Sequence, residues 1–450
     1  MSASSSKPGL KNWIRFLIPS GIGVLFFLTP IVIDGQITIG MAYVGDLFIN
    51  NFQLQLSQLA GIFIVSSVLF SFLFAINKRA KKKLHWLSDH LTLHPFWFTM
   101  RMFGAIAAVA YLFQVGPEFL TGVATSGTTL GNLIPITMTY LGIGAVFLPL
   151  LVDFGLMELV GVMLSRIFDR VFGLPGRSAI DAMASWMGSG PVGVFITSQQ
   201  YERGFYTARE AAVICTNFSV VSVSFSLVVI EYIGLGHLFV PYYLSVIGIG
   251  FIAALITPRL PPLNRIADNF IDGNPAKGSR TYEPGVRLLP VALNQALDRA
   301  ANAPSSRELV QRVGRNVSEI WLSLIPVVMG LGTTALILAE YTPVFTWLGA
   351  PIAPILNLFQ LEEAQAAAPL ILVGFTDMYL PALVGVNINS ELTRFVVATV
   401  SVTQLIYMSE VGALIIKSNI PLGFINVAQI FILRTLISLP IAVIIGHLLL

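Results

Sequence analysis

Charge is the scarcest commodity in this 450-residue sequence. Asp, Glu, Lys and Arg together make up 11% of it, where a soluble domain carries roughly 25%. A single cysteine, Cys215, excludes a disulfide within the chain; it lies in an apolar run and reads as a packing residue. The sequence has no G-x-x-x-x-G-K-[ST] phosphate loop, no H-E-x-x-H and no paired cysteines, so neither nucleotide hydrolysis nor a bound metal is indicated. The five histidines are scattered, and His85, His90 and His94 read as surface residues. No catalytic set, cofactor or metal site is therefore expected, and no enzyme. The net charge of +3 is too small for a nucleic-acid-binding face.

What is present is apolar. The chain is 55% hydrophobic with a mean hydropathy of +0.79, the composition of an integral membrane protein. The first apolar run, 13–33, is long enough to cross a hydrocarbon core of roughly 30 Å, and no small-residue cleavage site follows it, so it reads as a span rather than a signal peptide. A second run, 59–76, ends in Asn77-Lys78-Arg79-Ala80-Lys81-Lys82-Lys83. The positive-inside rule puts that cluster in the cytoplasm, with 34–57 outside and the N-terminus inside. Further spans are expected at 96–115, 130–152, 211–232, 238–257, 317–339, 393–416 and 424–450. The segment 154–172 has the apolar spacing of a helix lying in the cytoplasmic interface. The stretch 258–316 carries nine Lys and Arg and reads as a cytoplasmic loop with short helices. Residues 340–392 contain no Lys or Arg and belong outside.

Two stretches break the apolar pattern. In the first, a helix carrying Asp181 meets Gly188-Ser189-Gly190-Pro191; glycines and a proline so close together force the backbone open. Membrane interiors tolerate open backbone only where it is buried in protein or lines a wet cavity. The second break is Thr376-Asp377-Met378-Tyr379-Leu380-Pro381. Each break follows an interfacial piece and precedes a Thr/Arg turn and a span, yet the first lies among cytoplasmic arginines and the second among base-free residues. That order is an inverted repeat, as in secondary transporters that bind solute between discontinuous elements near the midplane. The expected fold is all-α, with two re-entrant, broken-helix hairpins. Its parts are a three-span region 1–129, a first repeat 130–257 with hairpin 178–200, the basic loop 258–316, and a second repeat 317–450 with hairpin 364–390.

The polar residues inside apolar runs are the candidate site. Gly188, Ser189, Gly190 and Pro191 can expose backbone groups to a solute, or can permit a tight helix crossing. Asp377, beside Thr376 and Tyr379, is a proton or cation site by default, unless it caps the hairpin tip. Glu410 follows Gln404 and Tyr407, which share a helical face with Val411; Glu410 can also be read as an interfacial residue facing water. Asn217 occupies the corresponding span of the first half. Arg434 lies deep in the last run and calls for an acid, Glu410 or Asp377. Asp181 is open to a surface salt bridge with Arg177.

The stretch GLPGRSAIDAMASWMGSGPVGVFITSQQYERGFYTAREAAVICTNFSVVS, together with LVGFTDMYLPALVGVNINSELTRFVVATVSVTQLIYMSEVGALI, resembles the YjiH family of bacterial inner-membrane proteins over residues 130–445. That family carries the Gate, or nucleoside-recognition, domain shared with concentrative nucleoside transporters and the membrane part of ferrous-iron transporters. The resemblance implies a polytopic, transporter-like protein with two Gate halves and is compatible with a homo-oligomer; it supplies no solute. The expectation is a secondary transporter, a symporter of a small polar metabolite (nucleoside, amino acid, amine or peptide-like) coupled to H⁺ or Na⁺ through Asp377 and Glu410. The rival readings are an ion or metal permeation protein and a non-transporting membrane assembly factor. Its expected place is the bacterial inner membrane, multi-pass.

Overall fold

The computed structural model describes residues 9–33, 36–76, 95–187, 190–271 and 286–450. Asp34, the basic cluster 77–83, the three histidines at 85, 90 and 94, and Gly188 and Ser189 lie outside the described residues. The described chain is helical apart from one hairpin, β1 (Pro30–Ile33) antiparallel to β2 (Gln36–Ile39). It is an all-α, multi-pass membrane protein.

The N-terminal region contributes α1 (Leu10–Phe27), α2 (Gly40–Ile76) and α3 (Pro95–Phe113). The segment 34–57, which the charge pattern puts outside, has regular structure where it is described. Most of it is the β-hairpin's second strand and the first turns of α2, which kinks at Phe52. Polar Asn50, Asn51, Gln53 and Gln55 masked this helix in the hydropathy pattern, although the two glutamines are good helix formers and the two asparagines moderate ones.

Next come α4 (Ile134–Val152) and α5 (Leu156–Ile167), followed by a π turn over Phe168–Phe172. A paired set, α6 (Ser178–Met187) and α7 (Gly190–Glu202), precedes α8 (Ala208–Asn217), α9 (Val223–Tyr232) and α10 (Phe239–Ile256). In the basic segment lie α11 (Leu288–Ala301) and α12 (Ser306–Glu319), the latter running through a π turn into α13 (Ile325–Tyr341). The chain ends with α14 (Ala364–Val373), α15 (Leu380–Gly385), α16 (Glu391–Thr403), α17 (Val411–Lys417) and α18 (Phe424–Leu449).

Among the described residues six helices are long and apolar enough to cross a membrane, where nine spans were expected. The shortfall comes largely from two expected spans, 211–232 and 393–416, each of which is two short helices separated by open backbone. These interruptions are the main correction to the sequence reading.

Amphipathic α5 is covered on two sides. It packs against α6 and against α11 from the basic segment, whose Leu288 and Ala292 join Val162 in a small core. At the same corner Asp153 accepts from Arg299 at 2.9 Å and Arg312 at 3.1 Å. Opposite, α3 and α13 cross backbone to backbone. A Cβ on Gly330 would stand 2.0 Å from the Met100 carbonyl oxygen, and one on Gly104 2.5 Å from that of Pro326. Small residues at a crossing let membrane helices gain van der Waals contact where the hydrophobic effect supplies none. Gly330→Ala should therefore push α3 off α13 and cost about 1–3 kcal/mol, read as a lowered unfolding temperature of the detergent-purified protein.

Candidate functional site

The first half of the site is built on the α6–α7 pair. Pro191 stands in the first turn of α7, where its missing N–H is harmless. Gly193 lets the two arms close up: a Cβ there would fall 1.6 Å from Ser185 Oγ. Asp181 is buried, and its Oδ2 accepts from Tyr206 Oη at 2.7 Å and Thr197 Oγ1 at 3.4 Å. The alternative pairing with Arg177 is not formed; that guanidinium lies 3.6 Å from the centre of the Phe205 ring. Asp181 thus ties α6 to α7 and to the turn before α8.

Helix α8 starts from a capping box in which Thr207 and Glu210 satisfy each other's backbone N–H. It stops at Asn217, with Phe218 N–H making the last helical bond to the Ile214 carbonyl at 2.9 Å, and the chain runs outside regular helix over 218–222 until α9 resumes at Val223. The reason is local: Ser219, Val220, Val221 and Ser222 combine β-branched side chains with hydroxyls that compete for backbone partners. A second interruption lies later in the chain. Helix α16, N-capped by Ser390, ends at Thr403; residues 404–410 are open, with Leu405 at φ 61°, and α17 begins at Val411. The helical face expected to join Gln404, Tyr407 and Val411 therefore does not exist.

The open segment 404–410 is held by the turn between α14 and α15. Met408 N–H donates to the Phe375 carbonyl at 2.8 Å and Ser409 N–H to that of Thr376 at 3.0 Å. Asp377, between α14 and α15, accepts from Tyr379 N–H at 2.8 Å. That is the local capping contact. Gly374 has no Cβ because Gln404 Oε1 comes 2.1 Å from the place one would occupy.

Both interruptions converge on Arg434 of α18, which is fully buried. Its Nε donates to the Thr403 and Gln404 carbonyls at 3.1 Å each, and Nη2 to Thr403 at 2.7 Å. Nη1 reaches Asn217 Oδ1 at 2.8 Å and the Thr216 carbonyl at 3.4 Å. One guanidinium thus closes the C-terminal ends of α8 and α16, where unpaired carbonyls and the helix dipole favour a cation. The expected acid partner is corrected: Arg434 needs none, because carbonyls of two broken helices take its charge. Asn217 and Gln404 belong to this junction. Gln404 Nε2 donates to the Ile371 carbonyl at 2.8 Å and Thr435 Oγ1 at 2.9 Å.

A small cavity lies between the two open segments, lined by Gly190, Ser219, Val221, Ser222, Phe225, Met378, Tyr407, Glu410 and Val411. About 10 Å³ is open to the centre of a water-sized sphere, room for roughly one water molecule. Of the residues singled out by sequence, Gly190 and Glu410 line it. Asp377 is adjacent in the chain to the lining residue Met378 and interacts electrostatically with Glu410. Tyr379 packs its ring 5.7 Å from Phe225, and Thr376 serves through its carbonyl. Tyr407 and Val411, read from the sequence as part of one helical face, line it as well, Ser219 and Ser222 come from a stripe of hydroxyls, and Phe225 and Met378 are the lining residues that sequence reading did not single out. The hydroxyl run 219–226 carried the signal, which also reads as ordinary glue between helices. Glu410 is the only carboxyl among the described lining residues, so the cavity presents a carboxyl, hydroxyls and open backbone to whatever enters.

Comparison with known proteins agrees with the Gate module. The Gate family, described as nucleoside recognition, matches residues 134–236, from α4 to just past α9. The chain is 46% identical over 442 residues to the uncharacterized protein BpOF4_10220 of Alkalihalophilus pseudofirmus, covering 97% of this chain and 94% of that one. It belongs to that protein's family. Among solved structures, one titled as CNTnw in an inward-facing substrate-bound state aligns with a TM-score of 0.41 and 14% identity, over 90% of this chain and 97% of that one.

The junction can be tested directly. Arg434→Leu leaves several buried carbonyls without a donor and should cost about 3–5 kcal/mol. Arg434→Lys keeps the charge but cannot fork to both helix ends, and should fall between Leu and the parent in thermal unfolding.

Proposed function

We propose that the protein is a secondary transporter of a small polar metabolite in the bacterial inner membrane, N-terminus inside, with its solute bound where the two open segments face each other. The observation that carries this reading is the cavity between 218–222 and 404–410, with Glu410 on its wall and Asp377 behind it. Interrupted helices at membrane depth are costly unless the freed backbone groups meet protein or a cavity, and here they meet both. Inverted repeats around such breaks are the architecture of secondary transport; the parallel order of α6–α9 and α14–α17 supports that reading, as does the opposite charge of their flanks. The water-sized cavity fits a closed conformation that must part to admit a solute.

Glu410 and Asp377 are the coupling pair in this proposal, taking up H⁺ or Na⁺ or a positive group on the solute. Nucleosides head the solute classes because the matched module is described as nucleoside recognition; amino acids, amines and peptide-like solutes follow.

The test is a thermal-shift screen of the purified protein against these four classes, with and without Na⁺. A solute at a hundred times its dissociation constant should stabilise the fold by roughly 2.7 kcal/mol. Glu410→Gln should remove the ion dependence of that shift, and Asp377→Asn should abolish uptake in vesicles while leaving membrane insertion intact. Full, ion-coupled uptake by both variants would remove the pair from the mechanism. Stabilisation by cations alone, with silence across the solutes, would favour ion permeation instead.

A further inference from the structure

The first open segment differs from the second in what it leaves unused. In 404–410 the N–H groups of Gln404, Ile406, Met408, Ser409 and Glu410 all find backbone acceptors. From Ser219 to Phe225 no backbone N–H has an acceptor among the described residues; the next, Ser226 N–H, bonds the Ser222 carbonyl at 3.0 Å. This run of free donors ends in the first turn of α9, a helix of 10 residues. Ser222 stands at its N-cap position with φ −66° and ψ 160°, yet its hydroxyl makes no capping bond. Nor does that hydroxyl have another partner among the described residues, although Ser222 is only 4% exposed. Buried donors without acceptors are rare and costly, and a helix N-terminus carries partial positive charge.

These donors belong to cavity walls. Ser219, Val221, Ser222 and Phe225 line the cavity that Glu410 also lines, and Ser222, Val223 and Ser224 line a second cavity of the same size, about 10 Å³. Ser222 is common to both, so the two adjoin across it. The second cavity is apolar: its other walls are Phe27, Leu28, Leu148, Leu151 and Trp186, and the Trp186 indole N–H is already given to the Tyr243 hydroxyl at 2.6 Å. The Glu410 carboxyl has no hydrogen bond or ion pair among the described residues. A positive pole, a negative pole and an apolar chamber thus border one another around Ser222. A cation alone would leave the N–H groups unused, and an anion alone would leave Glu410 unused. A nucleoside carries neither charge, and the charged ends of a peptide lie farther apart than one water-sized cavity accommodates.

We propose that this is a site for a zwitterionic α-amino acid with an apolar side chain. The free N–H groups at the start of α9 and the Ser222 hydroxyl take its carboxylate, Glu410 takes its ammonium, and its side chain enters the chamber between Phe27, Leu148, Leu151 and Trp186. The two charged groups of such a solute are one carbon atom apart, which suits poles facing each other across a water-sized cavity. Anionic groups of solutes are met in the same way by the N-termini of broken helices in transporters. The inference rests on the reading of this cavity as the solute site, and it selects one solute class among those named above; its test reads binding alone.

Thermal unfolding of the full-length protein in detergent, titrated with leucine, methionine and phenylalanine, tests it. The best of the three should bind about tenfold or more tightly than its own amide, which lacks the carboxylate, and than its N-acetyl derivative, which lacks the ammonium; a hydrogen bond to a charged group is worth that much. Glu410→Gln should erase the advantage of the amino acid over its N-acetyl derivative. Val223→Pro removes one N–H at a helix position where proline is tolerated, after a residue whose ψ of 160° already suits it. It should weaken the amino acid and leave the amide unchanged. An amide or an N-acetyl derivative that binds the parent as tightly as the amino acid overturns the inference, as does silence with all three amino acids. If either variant does not fold, the comparison of analogues on the parent decides. Ion-coupled uptake of a different solute alongside that silence would sink this inference and leave the transporter reading standing, whereas an amino acid that binds but is never taken up would do the reverse.

Discussion

One buried guanidinium fixes the geometry on which the rest depends. Two helices that stop inside the protein leave carbonyls pointing into a region without water, and each such group costs free energy unless it finds a donor. Arg434 supplies donors to both sets at once, to Thr216 and Asn217 on α8 and to Thr403 and Gln404 on α16. The arrangement satisfies two requirements together. The arginine's charge is stabilised by helix ends of the favourable sign, and the helix ends are closed without returning to regular helix. The backbone beyond them is then free to open toward the cavity. Because α18 carries the arginine, the last helix holds the two interrupted elements in register.

The second constraint is that the open segments hold each other. Segment 404–410 is pinned to the turn between α14 and α15 through Met408 and Ser409, and α7 packs directly against α17. Segment 218–222 faces α17 through Ser219, whose carbonyl lies 3.3 Å from where a Cβ on Gly190 would be, while Val411 Cγ2 lies 3.0 Å from it. A glycine at 190 is therefore a meeting point of α7, the first open segment and α17. Any displacement of the α6–α7 pair or of the turn between α14 and α15 must therefore alter the cavity.

Much of this was legible in the sequence, and the reasons for the remainder are physical. Asp377, Glu410 and Arg434 stood out because a charged residue in an apolar run is expensive and rarely idle. Gly190 and Pro191 stood out because they are poor helix formers. The interruptions at 218–222 and 404–410 were not visible, since hydropathy reports burial and not backbone hydrogen bonding, and both segments stay apolar enough to extend a span. Leu405 at φ 61° illustrates the limit: a leucine gives no hint of a left-handed backbone, and only the surrounding contacts impose it. The partner of Arg434 was misjudged for a related reason. Carbonyl acceptors belong to every residue, so a charge balanced by backbone leaves no mark in the side-chain sequence.

The acids divide by how they are satisfied, and that division orders the molecule. Asp153 is paired with two arginines and Asp181 is hydrogen-bonded by two hydroxyls, and both fasten elements together. Asp377 accepts from the Tyr379 backbone N–H in the turn between α14 and α15, and Glu410 lines the cavity. A carboxylate whose partners come from other elements acts as a clasp between them, whereas one capped within its own turn or set on a cavity wall fastens nothing distant. The acids of the first kind lie at the α5–α6 corner and the α6–α7 pair, and those of the second kind lie where the backbone is open.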